Sequence, residues 1–87
     1  GGSIGLDNKY TFKIAQETID DFVLVTEEKI AEGIRLNFSE HKIVTEGAAA
    51  TSVIVARDNL SSHLGNNIIC LICGGNIETK LFNKIIS

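Results

Sequence analysis

The residues of this chain best suited to chemistry are Cys70 and Cys73, the Gly74-Gly75-Asn76 run behind them, and the acid Glu46, set among small residues. A Cys-x-x-Cys pair can hold zinc or cycle through a disulfide. Here both thiols lie in Ile68-Ile69-Cys70-Leu71-Ile72-Cys73, an apolar run with the composition of a strand buried on both faces. Residues three apart on a strand point to opposite faces, so the two sulfurs cannot grip one ligand. No histidine or second cysteine pair stands at metal-ligand spacing, and no metal site is expected. Cys70 reads as a small core residue. Cys73 closes the run at the carboxyl end, where open α/β sheets bind ligands. The glycines after it permit a sharp turn and let the backbone approach a ligand with no Cβ in the way. A helix opening behind them can hold a phosphate, and an ordinary strand-to-helix turn has the same sequence. Glu46 precedes Gly47 and three alanines. An acid there serves either as a buried carboxylate beside a ligand or as a helix-start charge favoured by the dipole.

The other titratable groups read as solvated or structural. Lys13 sits on a predicted helix with no nearby glycine. Asp20-Asp21 and Glu27-Glu28 fit capping and surface positions, and His41 and His63 have no acidic or serine partner at a recognisable spacing.

These groups must be carried by short elements. Phe12, Ala15, Ile19 and Phe22 share one face of a helix predicted over 11–20. Phe22 to Val25 is a β-favouring run. Thr26 is a helix cap, with Glu27 and Glu28 in the first turn and His41 and Lys42 in the last, both favourable ends for those charges. Ile30, Ile34 and Phe38 form that helix's apolar stripe. An alanine-rich helix follows over about 48–59, where Ala48 to Ala50 permit close approach of another backbone. After a polar loop over 61–67 come the strand at 68–73 and a last helix over 77–86.

With 87 residues, 44% of them hydrophobic, the chain is at most one small domain, and disorder is not expected. The net charge of −3 is spread without a basic stripe, which excludes an electrostatic footprint for nucleic acid. No apolar run reaches the length of a bilayer span, so no membrane partner is expected and a cytoplasmic setting is the default. The order α-β-α-α-β-α predicts an α/β fold with a partial open parallel sheet flanked by helices. Two strands do not make a stable sheet of this kind, so residues 1–87 read as a single partial domain, a piece of something larger. Its unpartnered edges predict self-association or a missing partner.

Three ordered segments resemble one family. They are Ser3-Ile4-Gly5-Leu6-Asp7-Asn8 running into Thr11-Phe12, Val44-Thr45-Glu46-Gly47-Ala48-Ala49-Ala50, and Ile72-Cys73-Gly74-Gly75-Asn76-Ile77-Glu78. The stretch from Asp20 to Ile30 is in the same style. Together they are similar to the carboxyl-terminal part of the catalytic domain of threonine/serine dehydratases and serine racemases, pyridoxal-phosphate (PLP) enzymes of the tryptophan-synthase-β fold. The resemblance implies that Cys73, in the family's Ser/Cys position before Gly-Gly-Asn, hydrogen-bonds the pyridine nitrogen of the cofactor. It likewise implies that Glu46 stands beside the ring with Gly47, Ala48 and Ala49 around it, and that Gly74, Gly75 and Asn76 form the turn at the pocket floor.

The same resemblance marks what this sequence lacks. The family's Schiff-base lysine lies in a Ser-Phe-Lys-x-x-Gly setting, of which Phe12-Lys13 echoes two letters in the wrong place. The glycine-rich phosphate loop, the substrate-carboxylate loop and the upstream metal ligands are missing. No catalytic residue is therefore assigned here. The expectation is a part of an ammonia-lyase for a small β-hydroxy amino acid, inactive alone and completed by a missing amino-terminal portion or a second chain. The alternatives are a serine or aspartate racemase of the same fold, or a non-catalytic interaction module that kept the fold.

Overall fold

A computed structural model describes residues 9–87. The expected segment from Ser3 to Asn8 lies outside the described residues. Four helices make up the regular structure: α1 (Thr11–Thr18), α2 (Glu27–His41), α3 (Gly47–Arg57) and α4 (Thr79–Ile86).

The second helix begins as its sequence dictates, and it ends one residue earlier than expected, with Lys42 outside its last turn. The Thr26 side chain accepts a hydrogen bond from the Lys29 N–H at 3.2 Å, satisfying one of the amides that a helix start leaves open. Glu27 and Glu28 occupy the first turn and His41 the last. Lys42 then takes a left-handed conformation, φ 59°, and the Ile43 N–H donates back to the Asn37 carbonyl at 3.0 Å. This closes the helix end in the manner usually left to glycine.

The centre of the molecule is the crossing of α2 and α3. A Cβ on Gly33 would stand 2.7 Å from the Ala50 carbonyl oxygen, so the missing side chain is what lets the two backbones meet. Ala49, Ala50 and Ile54 are buried on the α3 side, and Ile34 on the α2 side. Phe82 brings α4 onto the same core and meets Phe38 edge to face, with ring centroids 5.2 Å apart. Burying side chains such as Ile34 and Phe82 contributes about 1.5–3 kcal/mol each. The outer ends of α2 and α3 are tied by charges: Lys29 reaches Asp58 at 2.7 Å, and Arg57 reaches Glu32 at 2.7 Å.

The helices thus follow the expected order, but the two β runs differ from expectation. Among the described residues there is no sheet ladder, and 22–25 and 68–73 are neither helix nor strand. Their exposure nevertheless alternates residue by residue. Phe22 and Leu24 are exposed while Val23 and Val25 are half-buried; Ile69 and Leu71 are exposed while Cys70 and Ile72 are half-buried. That is the period of two of a pleated chain. The inward residues turn toward α3, where Val23, Val25 and Cys70 line one cleft with Ser52 and Val55. The Ser52 hydroxyl donates to the Leu71 carbonyl at 2.8 Å, and the Cys70 thiol donates to the Ser52 carbonyl at 3.6 Å. The run at 68–73 is therefore covered on one face, not on both: Leu24 is 99% and Ile69 98% exposed. A ladder requires a neighbouring strand for its N–H and C=O groups, and the described residues supply none.

Candidate functional site

The turn after the second β run packs against the start of α3. Glu46, the residue before α3, is extended, φ −76° and ψ 169°. Its N–H donates to the Gly74 carbonyl at 3.2 Å. Gly74 has φ +109°, a region open to glycine but costly for any L side chain. A Cβ at Gly74 would also be driven onto the Glu46 carboxylate. A Cβ at Gly75 would stand 3.1 Å from the Val44 carbonyl oxygen. Both glycines thus have a concrete reason: one needs the left-handed backbone, and both admit the segment carrying Glu46. Behind them the Ile77 N–H donates to the Gly75 carbonyl at 3.0 Å, which turns the chain toward α4.

Two segments that the sequence holds far apart are therefore side by side. Glu46, Gly47 and Asn76 lie on one cleft of about 400 Å³ between α2 and α4, whose apolar lining includes Ile30, Ile34 and Leu81. Cys73, Gly74, Gly75 and Ala48 do not line that cleft. The Cys73 thiol is free and exposed. Cys70 and Cys73 differ in exposure as residues of opposite parity should, one half-buried and one open. Among the described residues no group of three or more His, Cys, Asp or Glu side chains could hold a metal ion.

Asn37 and Thr45 carry a feature that sequence reasoning missed. Both are buried, and the Asn37 Nδ2 donates to the Thr45 Oγ1 at 3.3 Å. An asparagine on the stripe side of a helix was the available signal, because an amide there must find a partner.

The chain is similar to proteins named as threonine dehydratases and as a threonine ammonia-lyase. The biosynthetic L-threonine dehydratase IlvA of Staphylococcus aureus is 36% identical over 86 residues, 98% of this chain and 20% of its own length. An L-threonine ammonia-lyase of Thermotoga maritima is 34% identical over 77 residues, 88% of this chain and 19% of its own. A further relative from Sinorhizobium fredii is 32% identical over all 87 residues, 26% of that protein. The chain is thus a homologue of threonine dehydratases over its whole length, matching their carboxyl-terminal part. It spans only about a fifth to a quarter of the length of these relatives. No family model matches the chain, and no solved structure matches it.

Proposed function

We propose that this chain supplies one wall of the pyridoxal-phosphate pocket of a dehydratase acting on a small β-hydroxy amino acid such as threonine. The observation that carries the reading is the meeting of Glu46 with Gly74 in a chain homologous to threonine dehydratases. In this reading 22–25 and 68–73 are strands of an α/β sheet completed by the rest of the catalytic domain, which covers Leu24, Ile69 and Leu71. That remainder is also the partner that the exposed apolar face requires.

The support for this is chemical and local: Glu46, Gly47 and Asn76 share one cleft, Gly74 and Gly75 leave no Cβ between the turn and the segment carrying Glu46, and the Cys73 thiol is free and exposed beside them. The pyridoxal group, when bound, supplies an electron sink for elimination at the α and β carbons of an amino acid. The chain's own residues would do the rest locally. The Cys73 thiol can hydrogen-bond the ring nitrogen without fixing a proton there, as a carboxylate would. Gly74 and Gly75 bring bare backbone to the ring edge, and Gly47 and Ala48 leave room beside it. Glu46 presents a carboxylate at the same rim, and Asn76 continues the floor. The sequence contains no Ser-Phe-Lys-x-x-Gly segment to hold the cofactor covalently, so the chain alone is expected to be inactive.

The test is complementation. The chain is mixed with the amino-terminal portion of a threonine dehydratase, pyridoxal phosphate and threonine, and keto-acid release is followed. Activity should arise from the mixture and from neither part alone, and Cys73→Ala should reduce it by roughly tenfold or more through loss of the ring-nitrogen contact. Steady turnover by the chain alone, or a mixture unaffected by Cys73→Ala, would count against the assignment.

A further inference from the structure

The connection from α2 to Glu46 is held at three points in four residues. The Ile43 N–H bonds the Asn37 carbonyl at 3.0 Å, the Thr45 hydroxyl bonds the Asn37 amide at 3.3 Å, and the Glu46 N–H bonds the Gly74 carbonyl at 3.2 Å. Asn37 serves the first two, one with its main chain and one with its side chain. Thr45 is 1% exposed and faces the core, whereas its neighbour Glu46 stands over Gly74. Glu46 is extended, and adjacent side chains of an extended chain leave on opposite sides, so fixing Thr45 into the core turns the half-buried Glu46 to the other side, over Gly74.

The Asn37 pairing is a poor choice for stability alone. Asn37 is fully buried and its Oδ1 has no hydrogen-bond partner. Turning the amide over would give Oδ1 the threonine hydroxyl and leave Nδ2 bare, so either orientation strands one polar atom. A buried orphan of this kind costs folding free energy, and a leucine of similar size would not incur it. What the amide achieves, and a leucine cannot, is a directional hold on Thr45.

We infer that Asn37 is a positioning residue, whose amide holds Thr45 and thereby sets the Glu46 carboxylate over the Gly74-Gly75 turn. The functional meaning of that placement rests on the reading of Glu46 as a pocket residue given above. Asn37 itself lies in the core and acts only through Thr45.

Amide hydrogen exchange of the chain tests this by comparing Glu46, whose N–H bonds Gly74, with Ile54 in the middle of α3. Asn37→Leu combined with Thr45→Val removes the hydrogen bond and leaves no orphan, and Thr45→Ser keeps the hydroxyl. The double variant should speed Glu46 exchange roughly five- to tenfold relative to Ile54, while Thr45→Ser keeps the original ratio. A double variant with an unchanged ratio, or a Thr45→Ser that loses as much as the double, overturns the proposal. Should the double variant not fold, Thr45→Val alone removes the same hydrogen bond, and because it also leaves the Asn37 amide unpaired, only a rise in Glu46 exchange beyond that of Ile54 supports the proposal and an equal rise at both overturns it. The exchange ratio involves no cofactor, so a failed complementation with an intact exchange result sinks the pocket reading and not the clamp.

Discussion

At the scale of single residues, the turn at Gly74 is where backbone chemistry is least replaceable. Its φ of +109° and the crowding by Glu46 act together, since a methyl group there is strained and also displaces the carboxylate. Gly74→Ala is expected to lower stability by about 1–3 kcal/mol, the usual cost of forcing an L residue into such a conformation. A shift in the urea midpoint with an unchanged slope would show it. Gly65, with nothing near its Cβ direction, is the control that should tolerate alanine. The need for glycine at 74 was legible from its place after an apolar run. That Glu46 is the neighbour enforcing it was not, because 28 residues separate them and only folding brings them together.

At the scale of elements, the α2–α3 crossing decides the arrangement of everything else. Gly33 opposes the Ala50 carbonyl, a backbone atom that cannot swing away. Gly33→Ala should therefore separate the helices and cost about 1–3 kcal/mol, even though alanine is the better helix former. Thermal unfolding would read the loss. A rise in stability would mean that helix propensity outweighs the close approach. The second helix was legible: Thr26 as a cap, the acids behind it and Ile30 and Ile34 on the core side all appear where the sequence places them, while Phe38 at the end of the stripe stays exposed and meets Phe82 edge to face. Phe12, Ala15, Ile19 and Phe22 do line one groove, but α1 ends at Thr18, so Ile19 and Phe22 reach it from the extended chain beyond the helix and not from the helix predicted over 11–20. The β runs were legible only by composition. Pairing belongs to two strands at once, and no local pattern shows that the second is present.

At the scale of the whole molecule, surface is the dominant fact. The accessible area is 6847 Å² for 9.4 kDa, against roughly 5,000 Å² for a compact monomer of that mass. The extents are 40 × 34 × 19 Å, and Leu24, Ile69 and Leu71 stand open on the surface. Charge ties the start of α2 to the end of α3. Glu32 is held below its ordinary value chiefly by its bond to Arg57, Asp58 chiefly by Arg57 and then by Lys29, and Lys29 is raised chiefly by Asp58. A lowered carboxyl stabilises the fold above its unfolded value, 3.8 for Asp58 and 4.5 for Glu32, and that contribution disappears as pH falls through the lower folded value. The raised Lys29 stabilises below 10.5, and its share is lost only as pH rises through its higher folded value. Unfolding midpoints should therefore be flat, as far as this network is concerned, between about pH 5 and 10 and fall on the acid side. Asp58→Asn should blunt the acid loss, and high salt should shrink the difference between the variants because the network is partly exposed. An acid limb identical in Asp58→Asn would show that other carboxyls govern it.

The sequence by itself determined the order of the helices, the Thr26 cap, the glycine turn and the kinship with threonine dehydratases, because these depend on neighbours within a few residues or on the order of motifs. Only the tertiary structure decided that Glu46 meets Gly74, that Asn37 holds Thr45, and that 68–73 is covered on one face alone. Each of those depends on which distant segment arrives at a surface. Local pattern states that an apolar face or a buried amide needs a partner, and the packing of the whole chain decides whether it receives one.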